Sequence, residues 1–224
     1  MNHIDVKNIK NRFGYTDNYW IIDGVSLPEW LDKHLENTDD KYVKSAVVKF
    51  DDLYPAWNHD IEFKGDVRFV WELIGMEKAP LPILLCPDDT DFSCIVIVVD
   101  VEKTKDFVYW NRVGYVKHDN EDFNEEKQRG ILYVEAYSDE DWDKYGDNIA
   151  CEEVDSSAWR EWIGKNWEEE LYRRRMNYTL PYYQTEGNIK WIIDTNWIFD
   201  RQEYEKMVCK FKEMQSYFCN KWYT

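Results

Sequence analysis

Leu81 to Lys117 reads LPILLCPDDTDFSCIVIVVDVEKTKDFVYWNRVGYVK. Its apolar, largely β-branched runs are separated by two short polar connections, an acidic one at Pro87–Asp91 and EKTKD at Glu102–Asp106. Runs of that length, bounded by turn-forming residues and scarcely alternating, predict buried strands in the middle of a sheet. The stretch contains no nucleophile motif, metal cage or phosphate loop. The centre of the chain is structural, so function has to be read from charge and surface.

The flanking sequence adds elements on both sides. Upstream, a polar lead precedes Tyr19–Ile22, a short strand. Ser26 and Glu29 form a capping box that opens a helix to about Glu36, with Leu27, Leu31 and Leu35 on one face. Tyr42–Phe50 has strand character, and Asp51–His59 is an aromatic loop closed by Pro55. Ile61 and Phe63, then Val67, Phe69, Trp71 and Leu73, alternate with other residues about Gly65-Asp66, which predicts a hairpin. Downstream, Gly130–Tyr137 is a further strand. Ser156 or Ser157 caps a helix marked by Trp159, Trp162, Ile163, Trp167 and Leu171, braced by Glu169–Arg173 and Glu170–Arg174 at i,i+4 spacing. Tyr178–Gly187 contains Pro181 and is a loop; Asn188–Phe199 fits a strand better than a helix. Asp200 then opens a final helix whose stripe is Tyr204, Met207, Val208, Phe211, Gln215, Phe218 and Trp222. These elements predict an α+β fold in one domain over residues 1–224, sheet-rich over 1–137 and helix-rich over 156–224. An antiparallel or mixed sheet of about six strands packs with C-terminal helices.

Composition separates this chain from disordered acidic proteins. Aromatic residues make up 17%, with 12 Trp, yet the formal net charge is -17. A folded body with a negative coat is the consequence. The charge is concentrated: Asp119–Asp155 holds fourteen acidic residues against three basic ones, whereas the last 69 residues hold ten against eleven. Phosphate backbones need a basic surface, so neither nucleic acid nor an anionic membrane is an expected partner. A basic protein is, because opposite fields steer encounter. The five cysteines form no CxxC, so neither a zinc site nor a redox dithiol is signalled. A polar N-terminus without an apolar leader, and a longest apolar run of only Cys94–Val99, make the cytoplasm the expected location.

No residue type in this chain marks a catalytic centre, a metal site or a cofactor site. Asp88, Asp89 and Asp91 on one turn fit a divalent-cation site or an ordinary acidic turn. His3, His34, His59 and His118 each stand without a second ligand at metal spacing, and His59 beside Asp60 or His118 beside Asp119 leaves room for a general base. The non-periodic loops Tyr54–Trp57 and Tyr178–Tyr183 suit either partner anchors or packing. Charge and aromatic character coincide most densely at Asp139–Asp143. The candidate partner-binding residues are therefore Asp119, Glu121, Asp122, Asp139, Glu140, Asp141 and Asp143, with Trp142 and Tyr145 as aromatic anchors.

The acidic balance, the absence of a catalytic motif, and the strand–turn–strand SCIVIVVDVEKTKDFVYWNRVGYV followed by an acidic-aromatic stretch resemble the immunity proteins of bacterial polymorphic-toxin and contact-dependent inhibition systems. Pro82–Val116 is also similar to the sheet of the SUKH group of immunity proteins. The resemblance implies a non-enzymatic cytoplasmic protein that binds one cognate toxin domain, such as a nuclease, and blocks its active site. The alternative is a hydrolase acting on sugars or phosphoesters through scattered carboxylates.

Overall fold

The computed structural model describes residues 1–11, 14, 16–35, 49–61, 63–88, 90–92, 94–117, 139 and 157–222, with the side chains of 157–164 and 216–222 left aside. The apolar runs form three neighbouring strands, β5 (Lys78–Leu85), β6 (Val96–Lys103) and β7 (Phe107–Val116), all antiparallel. With β4 (Tyr54–Pro55) and β8 (Ile189–Asp200) they make a five-stranded sheet in the order β4-β5-β6-β7-β8. Val96, Ile97, Val98 and Val99 are all fully buried, so both faces of the sheet are covered, and this is why the sequence hardly alternates. Pro80 and Pro82 fall within β5, and the register slips between Pro82 and Leu84, a bulge at a strand whose prolines cannot donate. At the EKTKD turn, Thr104 Oγ1 hydrogen-bonds both the N–H and the C=O of Phe107 at 3.1 Å.

The polar lead is itself a strand. β1 (Ile4–Lys10) pairs with β2 (Thr16–Ile22), which pairs with β3 (Val25–Ser26), giving a second antiparallel sheet. Ile4 and Val6 alternate into the core while the intervening polar side chains hide the signal. Asp23-Gly24 joins β2 to β3 with φ of 50° and 87°, the pair of positive φ angles a two-residue hairpin turn needs. Asn2 links the sheets: its N–H donates to Ile198 O at 2.7 Å, and its Oδ1 accepts from Ile198 N at 2.9 Å. The fold is α+β, with the strands divided between two sheets rather than gathered in one.

Two expectations are corrected among the helices. The hairpin expected around Gly65-Asp66 is a helix, α2 (Lys64–Gly75), which follows α1 (Leu27–Leu35). Alternation and helical spacing coexist in VRFVWELI, and Phe69, Val70, Leu73 and Ile74 form the buried stripe. Tertiary packing decides between them: a Cβ on Gly65 would lie 2.6 Å from Glu168 O, so the glycine permits contact with α3 (Ser157–Arg174). The loop expected over Tyr178–Gly187 is mostly helical: α3 runs into a π turn, Arg175–Thr179, and then α4 (Leu180–Gln184). Pro181 occupies the first turn of α4, where a missing N–H costs least. Glu170–Arg174 pairs at 2.9 Å, as its spacing predicts, but both groups are buried. The last helix, α5 (Arg201–Trp222), is capped by Asp200 Oδ1, which accepts from the N–H groups of Gln202 and Glu203 at 2.9 and 3.0 Å. The expected strand Gly130–Tyr137 lies outside the described residues, as does most of Tyr42–Phe50; Phe50 itself opens a 3-10 turn, Phe50–Asp52.

The core is aromatic. Trp110 from β7 is fully buried among Trp20, Trp57, Trp197, Phe199 and Tyr204, with ring centroids 5.6–6.4 Å away. Trp57 also donates to Pro82 O at 2.8 Å. The Tyr54–Trp57 segment therefore serves packing, as does Tyr183 of the second aromatic segment, which is buried too. No helix among the described residues is long and apolar enough to cross a membrane.

Candidate functional site

Of the candidate partner-binding residues, Asp139 is exposed and the other eight lie outside the described residues. The turn after β5 does not present its carboxylates together: Asp88 is exposed, Asp91 is buried within the field of Arg175, and Asp89 lies outside the description. A guanidinium thus offsets the Asp91 charge from inside the protein. Among the described residues no three His, Cys, Asp or Glu are grouped to hold a metal ion. His34 stacks on Trp30 at 3.8 Å, and its Nδ1 lies 2.8 Å from Trp30 O. Cys86 and Cys209 are free thiols, buried and exposed, and Cys94 is half-buried.

The geometry instead gathers a group of carboxylates that the sequence does not advertise. Asp17 stands at the start of β2, Asp51 in the 3-10 turn, and Asp60 in the loop after β4. Gln215 of α5 donates to Trp57 O and to Asn58 Oδ1, holding that loop from behind. Tyr54 donates its hydroxyl to Asp60 Oδ1, and Tyr19 donates to Leu53 O at 3.3 Å. Asp17 Oδ2 and Asp51 Oδ1 are buried and accept no hydrogen bond from the described residues. Burial, and then the charge of Asp60, push the Asp17 carboxyl up to about 6. The Tyr54 hydroxyl is pushed well above the ordinary phenol range by burial and by Asp60, and Tyr19 by burial and by Asp17. Asp32 is raised by burial, against the backbone N–H groups of Phe50 and Asp51 that it accepts.

None of Asp17, Asp51 and Asp60 forms an ion pair with a described Lys or Arg, and the contrast with the rest of the molecule is sharp. Every arginine whose side chain is described (Arg68, Arg112, Arg173, Arg174, Arg175 and Arg201) is tied to a carboxylate. Each of these described guanidinium groups is engaged within the molecule, and none of them is paired with Asp17, Asp51 or Asp60. Only Asp60, next to His59, is marked by local sequence; Asp17 and Asp51 reach it through the pairing of distant segments.

Asp17 also gives a pH signature. In the unfolded chain its carboxyl titrates near 3.9, and in the fold near 6. The protonated form is the one the fold favours, so this group's contribution is complete below pH 4 and lost as pH rises through 6. Asp17→Asn, which mimics the protonated form, should raise the melting temperature at pH 7.5 by about 2–4 °C, the effect of ~1 kcal/mol in a chain of this size. At pH 4 it should change nothing. Equal melting shifts at the two pH values would contradict the assignment.

A second polar constellation is closed. Arg175 Nε donates to Asp66 Oδ1 at 2.6 Å and its Nη1 to Thr179 Oγ1 at 3.3 Å, while its guanidinium lies 4.9 Å from the Phe92 ring centre. Both ionic partners are essentially inaccessible, so this pair ties α2 to the π turn and offers nothing to a ligand. Comparison with protein-family models, curated proteins and solved structures finds no match for this chain.

Proposed function

We propose that the chain is a non-enzymatic acidic binding protein that grips a basic protein domain, in the manner of the toxin-neutralising immunity proteins it resembles. The observation that supports this reading is the carboxylate group of Asp17, Asp51 and Asp60, which has no cationic partner among the described residues. Asp60 is exposed and Asp17 and Asp51 are half-buried, and carboxylates with a solvent-facing side suit the lysine and arginine side chains of a partner. The acid-rich sequence of 119–143, with Trp142 and Tyr145, has the composition that the same kind of partner calls for. Dispersed thiols fit work in the reducing cytoplasm. Neither nucleic acid nor an anionic membrane suits such a surface.

The test is titration against a basic nuclease toxin domain encoded next to this chain, at 50 and 300 mM salt. A one-to-one complex that blocks the nuclease and weakens steeply with salt is expected. Reversing Asp139, Glu140 and Asp141 to Lys should weaken it about tenfold or more and flatten the salt dependence. A complex indifferent to salt and to the reversal would remove electrostatic gripping from the account.

The same corner supports a second reading, on a different property. Burial and the nearby Asp60 charge push the Asp17 carboxyl up to about 6, the kind of upward shift that a general acid in hydrolytic chemistry uses. On this reading the protein hydrolyses glycoside or phosphoester substrates, and Asp17→Asn and Asp60→Asn each cost about a hundredfold in kcat. Absence of turnover across both substrate classes would exclude it without touching the binding reading.

A further inference from the structure

We draw no further inference here: the strongest candidate, the carboxylate cluster of Asp17, Asp51 and Asp60 beside Tyr54, belongs to the site already described, and no second feature there points to a ligand.

Discussion

Replacing Arg175 by methionine should lower the stability by about 3–5 kcal/mol, read as a shift of the urea midpoint at unchanged slope. The guanidinium is buried against Asp66, and its removal takes a counter-ion from a buried carboxylate. Charging a group in that environment is expensive, so Asp66 would unfold the helix contact or take up a proton. The double variant Arg175→Met with Asp66→Leu should recover most of the loss, because exchanging a whole buried pair for apolar residues of similar volume is often neutral. A single variant within about 1 kcal/mol of the parent would mean that the Arg175–Asp66 pair carries no net weight. The comparison separates the energy of the pair from the cost of orphaning one member.

Shortening Trp110 to alanine should cost about as much, ~3–5 kcal/mol, for a different reason. The indole is surrounded by rings from β2, the Tyr54–Trp57 segment, β8 and α5, so no single neighbour can move to refill the space. The loss is lost transfer energy plus cavity. Trp110→Phe should cost clearly less, since an aromatic plane would still meet Trp20 and Tyr204. If alanine and phenylalanine proved equal in a urea titration, the cluster would be acting as loose filler.

How much of this was legible in the chain varies with the range of the forces involved. The strands around Val96–Val99, the capped helix opening at Ser26 and the cap at Asp200 follow from neighbouring residues, and they stand where pattern predicts them. β1 was hidden because Asp5 and Lys7 interrupt an alternation of only two buried side chains, Ile4 and Val6. The helix over Lys64–Gly75 reads as alternating because its aromatic and branched residues suit a strand equally; the deciding contact is with Glu168, far along the sequence. The π turn left no local mark: Pro181 and the tyrosines suggest a loop, whereas Arg175 clamped on Asp66 makes the backbone continue as helix. For the site, the acid-rich stretch was plain, but the gathering of Asp17 with Asp60 depends on where β2 and the loop after β4 come to lie.

The place of β8 in the larger sheet has a consequence for biosynthesis. Val116 on β7 meets Ile189, and Phe107 meets Asp200, so the partner of β7 leaves the ribosome only after the whole of α3 and α4. Until then a long apolar edge remains without its neighbour, and such edges recruit other chains. Closure across so wide a loop is slow compared with hairpin formation, so the larger sheet is completed late, after its hairpin-connected strands have paired.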